Sequence, residues 1–143
     1  MIVKDIMTKN VKVIPQTATV RDAAKLMKDI DVGAIPVVED DRIIGIVTDR
    51  DIVLRSTAEG RNPNETRLEE VMTKEFFYCF EEDSVKEAAK VMREKQVRRL
   101  PVVNRLHELV GILSLGDISV DSGDDKISGQ TLEDISRPAR PDL

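Results

Sequence analysis

Tryptophan is absent from this 143-residue chain, and its other aromatic residues, Phe76, Phe77, Tyr78 and Phe80, all fall within one short stretch. Aromatics make up 3% of the chain and hydrophobic residues 41%, so aliphatic side chains must fill the core. Cysteine occurs once, at Cys79, which excludes an intramolecular disulfide and fits a reducing compartment. Histidine occurs once, at His107, in a polar turn, and reads as a surface residue. With one Cys and one distant His, neither a zinc site nor a Cys–His nucleophile has its partners. The sequence offers no serine elbow, metal-ligand set or Gly-rich phosphate loop. A non-catalytic protein with no metal and no required cofactor is therefore expected. An excess of positive charge is also missing: 22 Lys and Arg stand against 27 Asp and Glu, a formal net charge of -5. Phosphate backbones and anionic lipid attract basic surfaces, so neither nucleic acid nor membrane is expected as a partner. No window approaches the roughly 18 apolar residues of a membrane span, and residues 1–10 do not read as a leader. These features fit a soluble cytoplasmic protein.

What the chain does have is an internal repeat. Moved along by 65 positions, it lands on itself. Ile6-Met7-Thr8-Lys9 falls on Val71-Met72-Thr73-Lys74, and Val20-Arg21-Asp22-Ala23-Ala24-Lys25-Leu26-Met27 falls on Val85-Lys86-Glu87-Ala88-Ala89-Lys90-Val91-Met92. Val32-Gly33-Ala34-Ile35-Pro36-Val37-Val38 falls on Val97-Arg98-Arg99-Leu100-Pro101-Val102-Val103. After one inserted residue, Gly45-Ile46-Val47-Thr48-Asp49-Arg50-Asp51-Ile52 falls on Gly111-Ile112-Leu113-Ser114-Leu115-Gly116-Asp117-Ile118.

Each copy predicts a β-α-β-β-α unit in a mixed α/β (α+β) fold. An extended segment (11–15, 76–80) precedes an amphipathic helix whose apolar residues, Val20, Ala23, Ala24, Met27 and Ile30, recur near helical spacing. The paired alanines are expected to let that helix approach a sheet closely. A short apolar run then carries Pro36 or Pro101. Proline cannot donate to a ladder, so a strand edge or strand start is expected there. A polar turn and a second strand complete a hairpin, and a second helix begins near Asp49. The divisions are 1–58 for the first repeat, 59–67 for a linker, 68–121 for the second repeat and 122–143 for a polar tail, with a short helix near Leu132 to Ile135. The two copies are expected to bury a shared face about a pseudo-twofold axis and to fold as one module. The aromatic cluster is expected to serve core and interface rather than to stack on a ligand. Met7 and Met72, repeat equivalents, look structural.

Two short polar signatures follow the second strands: Thr48-Asp49-Arg50-Asp51 and Ser114-Leu115-Gly116-Asp117. Hydroxyl and carboxylate at this spacing form a capping box, as Thr19 with Asp22 and Ser84 with Glu87 do at the first helices. The same place also suits a ligand. A strand running into a helix N-terminus presents backbone N–H groups to an anion, and a neighbouring carboxylate can accept the hydroxyls of a ribose. Capping and binding are compatible.

These residues resemble a tandem CBS-domain pair, or Bateman module, over residues 1 to 120. The resemblance rests on Asp5-Ile6-Met7-Thr8, on residues 32–38 with Gly45-x-x-Thr48-x-x-Asp51, and on their second-copy counterparts. It implies a non-catalytic regulatory module that binds an adenosine-containing ligand (AMP, ADP, ATP, S-adenosylmethionine or NAD) in clefts between the repeats and transmits its state to an effector protein. It also implies that Thr48, Arg50 and Asp51 share cleft one with Asp83, Val97, Arg98, Arg99 and Pro101. Ser114 and Asp117 then share cleft two with Ala18, Val32, Gly33, Ala34 and Pro36. Aspartate would hold ribose, the hydroxyl a phosphate, and the strand before proline the adenine edge. Arg98 and Arg99 stand where the first copy has Gly33 and Ala34. Guanidinium pairs with phosphate in a bidentate way, so cleft one is expected to be the phosphate-competent one. Arg98 and Arg99 also read as a solvated strand end or an ion-paired interface. The resemblance further implies a homodimer, in which Ile52, Val53 and Leu54 offer an apolar helix face. A ligand-independent dimerisation and interaction module is the alternative.

Overall fold

The amphipathic stretches form the two long helices, α2 (Val20–Ile30) and α4 (Val85–Lys95). Both begin on the expected hydroxyl cap, and at α2 the reciprocal carboxylate bond of a full capping box is present, the Thr19 N–H donating to Asp22 Oδ2 at 3.0 Å. The Thr19 hydroxyl accepts the Asp22 N–H at 3.2 Å, and the Ser84 hydroxyl accepts the Glu87 N–H at 3.1 Å. The Thr19 backbone N–H, and then its hydroxyl, hold the Asp22 carboxyl below the usual carboxylate range. Both helices end on a residue in the left-handed region, Asp31 (φ 54°) and Gln96 (φ 54°). The faces differ between copies. Ala88 and Ala89 are both buried in α4, whereas Ala23 is buried and Ala24 exposed in α2. Close packing through an alanine pair thus holds for the second copy only.

This computed structural model describes residues 1–121, and side chains as far as residue 119. The polar tail and the short helix expected near Leu132 lie outside the described residues. In chain order the remaining elements are α1 (Val3–Ile6), β1 (Ile14–Pro15), β2 (Ala34–Glu39), β3 (Arg42–Thr48), and α3 (Asp49–Asp51), which continues as a π-helical turn, Ile52–Thr57. A 3-10 turn (Leu68–Glu70), β4 (Cys79–Phe80), β5 (Arg99–Val103), β6 (Leu109–Ser114) and α5 (Leu115–Asp121) follow. The mixed α+β fold is as expected, with two three-stranded sheets ordered β1-β2-β3 and β4-β5-β6. In the first, β1 is parallel to β2 and β2 antiparallel to β3.

Pro36 and Pro101 lie in the middle strands of their sheets, not at an edge or a start. The ladder explains why β2 tolerates it. Pro36 stands opposite Ile46. Ile46 directs its N–H and its C=O away from β2, to Thr73, at 2.9 and 2.8 Å. Pro36–Ile46 is therefore a non-hydrogen-bonded pair, and nothing on β3 needs an N–H from position 36. On the other side, β1 starts pairing only at Val37.

Compact units follow contacts rather than repeat order. Among the described residues, one unit comprises 12–76 with 107–109, and the other comprises 1–11, 77–106 and 110–121. In the first, residues 68–74, which open the second repeat, lie along the outer edge of β3 through the Ile46–Thr73 bridge. In the other, residues 3–8 lie along the outer edge of β6, where Thr8 and Ile112 exchange both backbone bonds at 2.8 and 3.0 Å. Each such strap buries its apolar anchors: Leu68, Val71 and Met72 in one unit, Val3 and Ile6 in the other. The glycines at the edge make the approach possible. A Cβ on Gly45 would meet the Met72 sulfur at 2.9 Å and the Thr73 carbonyl at 3.0 Å. One on Gly111 would meet the Met7 sulfur at 2.6 Å and the Thr8 carbonyl at 2.9 Å. Met7 and Met72 are structural, as their repeat positions suggest.

Buried apolar residues gather into two clusters, one in each unit, and they are aliphatic apart from Met and Cys79. The aromatic residues do not fill a core: Phe77 (47% exposed), Tyr78 and Phe80 stand open, and only Cys79 in that stretch is buried. The physical reason is strand alternation. Cys79 turns inward from β4, and its neighbours Tyr78 and Phe80 must then turn out. Their rings meet edge to face, 5.7 Å apart, and the Lys95 ammonium sits 5.0 Å from the centre of the Phe77 ring. The connection between the repeats is tied down rather than loose. Thr66 is buried, its carbonyl accepts the Val20 N–H at 2.9 Å, and the Pro63 carbonyl accepts the Arg21 N–H at 3.0 Å.

Candidate functional site

The strand-to-helix junctions are built as capping boxes in both copies. Thr48 and Asp51 exchange two bonds: the Asp51 N–H donates to the Thr48 hydroxyl at 3.0 Å, and the Thr48 N–H donates to Asp51 Oδ2 at 3.0 Å. Ser114 and Asp117 do the same at 3.1 and 2.9 Å. A second backbone bond fixes where each helix starts. The Asp49 N–H donates to the Gly33 carbonyl, and the Leu115 N–H to the Arg98 carbonyl, both at 2.9 Å. Ala34 stands opposite Thr48 in the β2–β3 ladder.

Asp51 is engaged further. The Thr73 hydroxyl donates to both of its oxygens, at 3.0 and 3.1 Å, and the Arg55 Nε lies 3.9 Å from Oδ1. The Arg55 guanidinium also donates to the carbonyls of Val71 and Met72, at 3.2 and 3.1 Å. Asp51 is buried, and these neighbours tie α3 to the strap. A carboxylate offers about four acceptor positions, so Asp51 keeps room for one further donor or two. Sequence reasoning missed Thr73 and Arg55. Thr73 was legible only as the repeat equivalent of Thr8, and nothing in the spacing links either residue to Asp51.

The Gly33-Ala34 to Arg98-Arg99 contrast has a local counterpart. The Asp49 carboxylate lies over Gly33, where a Cβ would meet Oδ2 at 3.0 Å. In the second copy Leu115 stands where Asp49 does, beside Arg98. Part of the asymmetry is thus accommodation between neighbours. Arg98, Arg99 and Arg50 are exposed, Pro36 and Pro101 buried, Val97 and Val32 half-buried. Ala18 is half-buried, and its carbonyl accepts the Leu68 N–H at 2.9 Å.

The structure places Ala18, Val32, Gly33, Ala34, Pro36, Thr48, Arg50 and Asp51 in one compact unit, and Asp83, Val97, Arg98, Arg99, Pro101, Ser114 and Asp117 in the other. Asp83 lines a pocket of about 270 Å³ with Glu81, Glu82 and Arg105. Its carboxylate accepts the Phe80 N–H at 2.9 Å, and Arg105 is paired to Glu82 at 2.9 Å, so this pocket carries excess negative charge. A second pocket, about 450 Å³, lies against the strap beside Arg55, Thr73 and Lys74, with Glu69, Glu70 and Glu75 around it. Burial pushes the Cys79 thiol up to about 12, with the Asp83 charge adding to it, so Cys79 is a poor nucleophile. His107 is exposed in the β5–β6 turn at φ 61°. Among the described residues no group of three His, Cys, Asp or Glu could hold a metal ion, and no helix is long and apolar enough to cross a membrane.

Two such junctions on a duplicated α+β unit define a class, and the chain belongs to the CBS-domain family: the CBS domain model matches residues 3–57 and 68–120. The CBS domain-containing protein YhcV of Bacillus subtilis is 43% identical over 134 residues, covering 94% of each chain. Among solved structures, Hypoxic Response Protein I with two coordinated zinc ions is 38% identical with a TM-score of 0.75, over 83% of this chain and 97% of that one. CBSX2 in complex with AMP is 27% identical with a TM-score of 0.73, over 87% and 98%. The CBS pair of MJ0100 with 5′-methylthioadenosine and S-adenosyl-L-methionine is 28% identical with a TM-score of 0.71, over 87% and 98%.

Proposed function

We propose that this chain is a regulatory sensor that binds an adenosine-containing ligand at its two strand-to-helix junctions and passes its state to an effector protein. The observation that carries the reading is the duplicated hydroxyl–carboxylate junction, Thr48 with Asp51 and Ser114 with Asp117, in a chain whose solved relatives include complexes with AMP and with S-adenosyl-L-methionine. In this proposal the carboxylates hold ribose and the helix N-termini receive phosphate. Cleft one joins Thr48, Arg50 and Asp51 to Asp83, Val97, Arg98, Arg99 and Pro101. Cleft two joins Ser114 and Asp117 to Ala18, Val32, Gly33, Ala34 and Pro36. Arg98 and Arg99 supply guanidinium groups to cleft one alone, so it takes the more highly phosphorylated ligand. Glu81, Glu82 and Asp83 line one pocket, and their charge supports a reading in which Asp83 takes ribose or base rather than phosphate.

A homodimer is the second part of the proposal, and the exposed side chains of Val53 and Leu54 on the helix after β3 support it. Thermal denaturation at rising AMP, ATP and S-adenosylmethionine tests the sensing reading. A melting temperature that climbs with ligand concentration is expected. A flat response from a stable dimer would favour the ligand-independent interaction module.

A further inference from the structure

The two junctions share a capping box and differ in what else their carboxylates accept. In the first, the Thr48 N–H donates to Asp51 Oδ2 at 3.0 Å, and the Thr73 hydroxyl stands across both oxygens, 3.0 Å from Oδ1 and 3.1 Å from Oδ2. In the second, the Ser114 N–H donates to Asp117 Oδ2 at 2.9 Å, and among the described residues no side chain donates to that carboxylate. Thr8 is the repeat equivalent of Thr73. It is exposed where Thr73 is half-buried, and its bonds to Ile112 run through its backbone. Asp51 is buried and Asp117 half-buried. Arg55 accounts for the difference. Its guanidinium donates to the carbonyls of Val71 and Met72, the two residues before Thr73, and draws the strap against the turn that follows Asp51. The repeat places Asp121 where Arg55 stands. A carboxylate cannot donate to a carbonyl, so that position gives the second copy no such clamp.

A ribose presents two neighbouring hydroxyls, and a carboxylate meets such a diol best with one oxygen for each. At Asp51 a hydroxyl of the chain's own stands across both oxygens, so a diol and Thr73 claim the same acceptor positions. Each is a neutral hydroxyl donating to the same charged acceptor, so exchanging one for the other returns little net free energy. At Asp117 no side-chain donor has to leave. We propose that Thr73 competes with the ligand's ribose for the Asp51 carboxylate and so sets the affinity of that junction, with Arg55 holding Thr73 in place. The inference rests on the sensing reading above and adds a residue that decides how readily one of its two junctions fills. A ribose reaches the Asp117 carboxylate directly, and reaches that of Asp51 only in exchange for the strap hydroxyl. Occupancy of Asp51 thereby frees Thr73 from the junction.

Titration calorimetry with AMP, ATP and S-adenosylmethionine on the full chain tests this, in a background of Asp117→Asn that removes the second carboxylate. Thr73→Val is expected to tighten binding about 3- to 10-fold, a factor of the order set by one hydrogen bond that no longer has to be displaced. Thr73→Ser restores the hydroxyl and should cancel the gain, and Asp51→Asn should abolish the difference between Thr and Val at position 73. A residue that only positions Asp51 would give the opposite sign, weaker binding in Thr73→Val. If Thr73→Val fails to fold, Arg55→Met, which removes the clamp and leaves the hydroxyl, is read in its place and should tighten binding in the same sense. Binding that these variants leave unchanged or weaken overturns the proposal. Wild-type binding that disappears in Asp117→Asn and does not return with Thr73→Val overturns the competition and leaves the sensing reading standing. Absence of binding by every form, wild type included, overturns both.

Discussion

Asp51 concentrates several roles in one side chain. It closes the α3 cap, accepts the Thr73 hydroxyl and faces Arg55. A buried acceptor left without its donor costs roughly 1–3 kcal/mol. Thr73→Val, which keeps the side-chain shape and removes the hydroxyl, should therefore lower unfolding stability by about 1–3 kcal/mol in urea. A loss no greater than that of an exposed threonine would contradict the role given to this bond. Cys79 sets a second expectation. Its folded thiol is raised to about 12 from an ordinary value of 9.0, so the unfolded chain releases the proton first. Its contribution to stability is complete below pH 9 and is lost as the pH climbs through that window. Relative to Cys79→Ala, the wild type should lose about 1.4 kcal/mol per pH unit between pH 9 and 12. A difference that stays flat with pH would mean that the thiol is not shielded.

At the level of elements, the repeat made much of the fold legible, because period and caps are local. The apolar spacing from Val20 and from Val85 located both long helices, Thr19 and Ser84 located their starts, and Thr48 and Ser114 located the starts of α3 and α5. What escaped was set by partners distant in sequence. Pro36 reads as an edge residue because the sequence does not say that Ile46 turns its backbone groups to Thr73. The aromatic stretch reads as core because hydrophobicity alone does not say which alternate residues face out. The same distant partner explains Gly45 and Gly111. A methyl group there must displace a methionine and press on a strap carbonyl. Gly45→Ala and Gly111→Ala should each cost on the order of 1–3 kcal/mol by denaturant titration. A neutral effect would show that the straps yield freely.

Over the whole molecule, the two repeats share a plan and differ at several of the positions proposed for ligand and partner. Arg50 and Arg55 of the first copy correspond in the repeat to Gly116 and Asp121 of the second, and Gly33-Ala34 corresponds to Arg98-Arg99. Val53 and Leu54 leave an apolar helix face exposed. Sedimentation at micromolar concentration should give about twice the 16.0 kDa chain mass, and Leu54→Asp should return it to one chain. A wild-type mass near one chain would refute the dimer. The candidate site was legible as a junction of hydroxyl and carboxylate, but not as a corner where Thr73 and Arg55 already occupy Asp51. That crowding makes Asp51→Asn, which keeps the shape of the cap, a better probe of binding than removal of the side chain. Titration calorimetry with AMP, ATP and S-adenosylmethionine on the wild type, Asp51→Asn and Arg99→Ala is the most direct test of the central claim. The account predicts saturable binding of at least one ligand below millimolar, weakened about 10- to 100-fold by Asp51→Asn. Absence of binding by all three below millimolar would contradict it.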